Sequence, residues 1–120
     1  MDASTNIEDL KKMVKKFCSE RDWDQFHSAK DLAIGLSTES AELLELFRFK
    51  SEQEVKDRVS DPSDRRKVEN ELADVFFFVL RFAQMNGMDL SECLRSKMEL
   101  NAQKYPISKS KGSNKKYNEE

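Results

Sequence analysis

Between Ala29 and Lys50 the apolar residues Leu32, Leu36, Leu43 and Phe47 return at the spacing of one helical stripe, which predicts a long amphipathic helix. The rest of the chain follows the same period. Thr5 with Glu8 three residues later predicts a capping box that opens a first helix over about residues 7–20. "RDWDQFHS" interrupts it, and "SEQEVKDRVS" adds at most a short helical turn. Asp61 and Pro62 supply an N-cap and a favourable first position for a helix that runs to Asn86, where Gly87 ends it. Asp89 with Glu92 caps a fourth helix that stops near Tyr105 at Pro106. Three Gly, two Pro and few Val or Ile leave no case for a sheet, so the fold class is all-α, a four-helix bundle type.

Phe76, Phe77 and Phe78 are consecutive and point about 100° apart on a helix, so one of them must leave any single packing seam. That apolar girth predicts a subunit interface in a homo-oligomer. A chain of 120 residues holds one domain, taken as residues 1–106, and "SKSKGSNKKYNEE" is too polar to offset its own ordering entropy. Residues 107–120 therefore read as a basic, flexible tail.

Charged residues make up 37% of the chain yet sum to only -2, which leaves no field for duplex nucleic acid or an anionic membrane. No apolar run approaches a membrane span, and the N-terminus has no signal-peptide pattern. A cytoplasmic protein is expected. Cys18 and Cys93 form no CxxC pair and read as reduced thiols with no role.

Acidic pairs three apart mean little in a chain this rich in Asp and Glu, and the ordinary explanation is a solvated face. Placement sets Glu71 and Asp74 apart. Glu71 falls nearly in line with Val75, Phe78 and Phe82, so its carboxylate points along the seam, with Asp74 one row away. Glu39 and Glu42 repeat the relation on the edge of the earlier stripe, and the two pairs can face each other across antiparallel helices. Such charges need Lys or Arg partners or a bound cation. Oxygen-only ligands suit Mg²⁺ or Mn²⁺, and with His27 as the single histidine the paired Glu-x-x-His set of a di-iron bundle cannot be completed. Mg²⁺ commonly keeps positions for phosphate oxygens, and no P-loop or G-x-G-x-x-G loop is present to do that work instead.

"TESAELLELF" followed by "ENELADVFFFV" resembles the paired acidic motifs of the MazG-like all-α nucleotide pyrophosphohydrolases. "RDWDQFHSAKDLA", "SKMELNAQKYP" and "KGSNKKY" are similar to its dCTP pyrophosphatase branch. The resemblance implies an oligomeric hydrolase that splits a nucleoside triphosphate, dCTP or a modified dCTP, into monophosphate and pyrophosphate. Glu39, Glu42, Glu71 and Asp74 would be its catalytic metal ligands. Lys97 and Asn101, with Lys104 and Tyr105 in the same motif, would contact the nucleotide, and Trp23 and His27 would wall the base. The chain departs from the pattern at Thr38, where many relatives have Gly, and at Phe49 and Phe78, where Trp and Tyr are frequent near the base. These changes bear on base selectivity and not on the metal.

Without the resemblance, Trp23, Phe26 and His27 read as a loop plug, Lys97 and Lys104 as solvated helix charges, and Glu45 as a surface residue. The rivals are another Mg²⁺-dependent phosphohydrolase and a non-enzymatic helical oligomerisation or adaptor module. The adaptor leaves Glu71 on an apolar seam unexplained.

Overall fold

The computed structural model describes residues 1–119, all of its regular structure helical. The α-helices are α1 (Ile7–Glu20), α2 (Ala29–Glu45), α3 (Glu52–Ser60), α4 (Pro62–Met85), α5 (Leu90–Lys104) and α6 (Ile107–Ser110). They divide into two compact units, Met1–Gly87 and the chain from Met88 onward. No helix among the described residues is long and apolar enough to cross a membrane.

In the first unit, α4 is the element against which α1, α2 and α3 all pack. Its start is as expected: Asp61 Oδ2 accepts the Asp64 amide at 3.1 Å, and Pro62 occupies the first turn. Its end is Asn86, followed by Gly87 at φ 63°, a conformation that glycine adopts without a Cβ penalty.

Three boundaries differ from the sequence pattern. The cap of α1 is Asn6, whose Oδ1 accepts the Asp9 amide at 2.8 Å, while Thr5 Oγ1 accepts from the N-terminal ammonium at 3.2 Å. Asn outcompetes Thr for the cap because its carbonyl reaches the third amide more readily. The long second helix stops at Glu45, five residues early, in a run of turns that leads to Phe49 at φ 62°. The cause lies downstream. Ser51 and Glu54 close a reciprocal capping box, with Glu54 N to Ser51 Oγ at 3.2 Å and Ser51 N to Glu54 Oε1 at 3.1 Å, and this starts α3 as a full nine-residue helix.

The buried apolar set among the described residues is short: Val14 and Cys18 from α1, Leu32 from α2, Leu80 and Ala83 from α4. Cys18 is buried and its thiol pKa is raised chiefly by that burial, whereas Cys93 is exposed. Around this core α2 and α4 pack together through Gly35 and Phe78. A Cβ added to Gly35 would lie 2.3 Å from Cε1 of Phe78, so the absence of a side chain there admits the ring. Further along α4, Leu72 and Phe76 are 55% and 41% exposed and line an apolar groove of about 480 Å³ with Ala73, Val75 and Val79.

In the second unit, Asp89 Oδ1 accepts the Glu92 amide at 2.9 Å to cap α5 as expected. The segment read as an unstructured tail contains α6 and a 3-10 turn, Tyr117–Glu119. Tyr117 meets the Tyr105 ring edge-on at 6.0 Å, with Lys104 Nζ 5.2 Å from its centroid. One aromatic supplies the anchor that the polar composition obscured.

Gly35→Ala gains helix propensity of about 1 kcal/mol, but displacing the Phe78 ring costs about 1–3 kcal/mol. Urea unfolding should show a net loss of stability that a second change, Phe78→Leu, largely restores. An unchanged or raised midpoint for Gly35→Ala alone would show that the ring moves aside freely.

Candidate active site

Two helices carry the acidic pairs, and their close approach brings three of the four carboxylates to one point. Oxygens of Glu39 and Glu42 on α2 and of Glu71 on α4 all lie within 4.8 Å of one another. Asp74, one turn beyond Glu71, shares with Glu39 the lining of a cavity of about 480 Å³ whose remaining wall includes Phe17, Trp23, Phe77 and Phe78. Like charges so close together suppress ionisation. The Glu39 carboxyl is pushed up to about 7, first by burial, then by its hydrogen bond with Glu42 and the charges of Glu42, Asp74 and Glu71. Glu71 is raised by burial and by Glu42 and Asp74.

No Lys or Arg forms an ion pair with any of these four residues among the described side chains. Glu39 Oε2 and Glu71 Oε2 are buried atoms without a hydrogen-bond partner. Two orphaned carboxylate oxygens in an oxygen-only donor set fit a hard divalent cation. Thr38 does not disturb the set, because its hydroxyl donates within α2 to the Ile34 carbonyl at 2.9 Å. Glu45 points away to Arg48 at 3.1 Å, which agrees with a surface position.

The aromatic segment between α1 and α2 reaches the same cavity. Asp22, at φ 55°, turns the chain after α1, and the Trp23 ring packs edge-on against Phe17 at 5.6 Å and against His27 at 6.2 Å. Phe78 lies in the cavity wall beside Gly35 and Phe77. Phe49 is not in that lining: it is 91% exposed, with the Arg48 guanidinium 4.5 Å from its centroid. Lys97, Asn101 and Lys104 recur four and three residues apart and so share one face of α5, with Tyr105 at its end, all within the second unit.

One functional candidate escapes the sequence reading. Arg81 is fully buried, its Nε donates to His27 Nδ1 at 2.8 Å, its Nη1 to Gln84 at 2.5 Å, and its Nη2 to Asp24. The available signal was an Arg seven residues after Asp74, hence on nearly the same helical face, one turn after Phe77 and Phe78.

The MazG-like family pattern matches residues 34–119, which include both acidic pairs. The chain belongs to the MazG-like family. Among MazG-like relatives, dCTP pyrophosphatase 1 of Mus musculus is 38% identical over 111 residues, 92% of this chain and 65% of that protein. The Homo sapiens protein of the same name is 34% identical over 113 residues, 94% of this chain and 66% of that one. The chain thus spans about 65% of the length of these curated relatives. A solved pyrophosphatase from Archaeoglobus fulgidus superposes with a TM-score of 0.74 at 36% identity, covering 82% of this chain and 91% of that one. MazG-like membership points to a divalent-metal requirement, and the cluster of Glu39, Glu42 and Glu71 provides donors for it.

Between the ordinary Glu value of 4.5 and about 7, unfolded Glu39 is ionised while folded Glu39 keeps its proton. The native state then binds more protons, so the stability of cation-free protein falls as pH rises through that window. Glu39→Gln should flatten the slope and stabilise the chelator-treated protein above pH about 7. Urea midpoints followed across this range test it, and an equally steep slope in the variant would remove Glu39 as the source.

Proposed function

We propose that this protein is a Mg²⁺-dependent nucleoside triphosphate pyrophosphohydrolase acting on dCTP or a modified dCTP. The observation that carries the reading is the convergence of Glu39, Glu42 and Glu71, with two orphaned oxygens, beside a cavity walled by Trp23 and Phe78. The relatives named dCTP pyrophosphatase 1 support the substrate class. In this reading residues 1–106 are the catalytic domain, residues 107–120 a basic tail, and the compartment the cytoplasm.

Glu39, Glu42, Glu71 and Asp74 hold the cation, with Mn²⁺ as the natural substitute. The chemistry such a cation would supply there is neutralisation of triphosphate charge and polarisation of water. Water's oxygen forms a bond to the α-phosphorus, the bond from that phosphorus to the oxygen bridging to the β-phosphorus breaks, pyrophosphate departs with the electron pair, and the proton that water gives up passes to solvent. The carboxylates supply position and charge balance, the larger part of such catalysis. Ionisation of Glu39 accompanies cation binding. Trp23 stacks on the base, a contact of about 1–3 kcal/mol that tolerates any base, while His27 contributes directional hydrogen bonding. Phe78 offers a ring without a hydroxyl. Lys97, Asn101, Lys104 and Tyr105 are the donors assigned to the nucleotide, and Phe49, exposed in this chain, the further aromatic on the base side.

The same reading includes a homo-oligomer, a dimer or tetramer. The apolar groove beside Leu72 and Phe76 supports it, since a second copy would cover side chains that the small core leaves exposed.

Purified protein with Mg²⁺ should release pyrophosphate and monophosphate from dNTPs, dCTP foremost. Inorganic phosphate as the product would identify a different phosphohydrolase, and no turnover would favour an adaptor. Glu71→Gln should lower turnover by roughly 100-fold or more with the fold retained, because losing a ligand exceeds the usual cost of losing a ligand's support. Near wild-type rates in that variant would remove Glu71 from the site. Light scattering at micromolar concentration should give an oligomer mass that Leu72→Glu reduces; a wild-type monomer would refute the assembly.

A further inference from the structure

Arg81 is a charged side chain with no solvent exposure, on a helix whose adjacent residues Leu80 and Ala83 belong to the apolar core. A buried cation is costly unless its donors are satisfied, and an apolar residue would fill the place without that cost. Its guanidinium is nevertheless spread over three acceptors in three directions: His27 Nδ1, Asp24 and Gln84. Two of the three lie in "RDWDQFH", on either side of the 3-10 turn Asp24–Phe26, and the third is on α4 itself. The guanidinium therefore ties the aromatic loop to the helix that carries Glu71 and Asp74.

The contact also decides a proton. A guanidinium only donates, so Nδ1 of His27 is the accepting nitrogen and the neutral ring bears its hydrogen on Nε2. A proton on Nδ1 would set donor against donor and cation beside cation. From the elements packed around His27, the charges that face it are Arg81 of α4, Asp24 of its own loop and Asp31 of α2; the Cys18 thiol of α1 lies beside the same Arg81–Asp24 pair. Burial first and Arg81 second lower the His27 pKa, against the opposing pull of Asp24 and Asp31. Trp23, edge-on to this ring and in the cavity wall, is positioned by the same loop.

We propose that Arg81 is the positioning residue for base selection: it clamps the Trp23–His27 loop to α4 and holds His27 as the Nε2–H tautomer, without itself touching substrate. The inference rests on the nucleotide reading of the cavity. Lys cannot replace it, since an ammonium lacks the planar fork that reaches three fixed acceptors.

The chain has one histidine, so ¹⁵N-resolved NMR of the imidazole reports on His27 alone. Wild-type protein without nucleotide should show a bare Nδ1 and a protonated Nε2. Arg81→Met should give a tautomer mixture with a pKa moved toward the ordinary value. It should also cut the kcat/KM preference for dCTP over the other dNTPs by about tenfold, the worth of one hydrogen bond, with the loss falling on KM. Arg81→Lys should not rescue it. A folded Arg81→Met with the wild-type tautomer, or with an unchanged base ranking, overturns the proposal. If burial prevents that variant from folding, Asp24→Asn decides, because Asp24 is half exposed and its loss loosens the clamp while Arg81 stays in place. A smaller tautomer shift and a smaller loss of base preference are expected, while the His27 pKa stays below its ordinary value because the opposing pull of Asp24 is gone; absence of the tautomer shift and of the lost preference overturns the proposal. Protonated Nδ1 in the wild type overturns the clamp whatever the activity. Failure of wild type to hydrolyse any dNTP overturns the functional reading and the selectivity role with it, whereas the tautomer seen by NMR supports or overturns the clamp independently of turnover.

Discussion

The close approach of α2 to α4 at Gly35 is the constraint from which the site follows. The Phe78 ring of α4 lies against the bare backbone of Gly35, where a Cβ would meet it at 2.3 Å, so the two helices are locked at this level by one ring on one glycine. Glu39 is one turn beyond Gly35 on α2, and Asp74 and Glu71 are one and two turns before Phe78 on α4. In an antiparallel pair those steps lead to the same level, and carboxylates attached there have to meet. A larger residue at position 35 would displace the Phe78 ring, and with it the cavity wall that Phe78 provides beside Glu39 and Asp74.

That geometry works against the stability of the cation-free fold. Glu39, Glu42 and Glu71 share one patch without a basic partner, and the raised pKa of Glu39 and Glu71 is the form in which the strain becomes visible. A bundle selected for stability alone would place Leu or Lys at one of these positions. The concentration of uncompensated charge at one point, with the remaining ion pairs mostly exposed and local along single helices, is what separates a site from a solvated face.

Much of this was legible in the residues. The caps at Asp61 and Asp89 and the stop at Gly87 were read correctly because they depend on neighbours within one turn. Glu71 was legible because a carboxylate in line with Val75 and Phe78 contradicts its own helix face. The end of α2 was hidden, since "LELFRFK" continues the apolar period and only the competing cap at Ser51 breaks it. Tyr117 was hidden by the polar residues around it, its partner Tyr105 lying twelve positions earlier. The convergence itself was not readable, because spacing along two helices fixes which faces the acids occupy but not how closely the helices approach.

Arg81 shows where the same reasoning stopped short. Like Glu71 it is a charge among apolar neighbours, here Phe77 and Phe78 on the preceding turn, yet an arginine's long stem usually carries its charge out to water. Here it does not, because the acceptors come to it: Asp24 and His27 are delivered by a loop more than fifty residues away in sequence. The two charges on α4 thus mark opposite problems with one solution each. The acids lack basic partners among the described residues and call for a cation, whereas the arginine donates to Asp24, His27 and Gln84 and so holds a loop. One helix therefore carries both the carboxylates of the acidic cluster and the arginine tied to the aromatic loop, so that displacing α4 would disturb the two together.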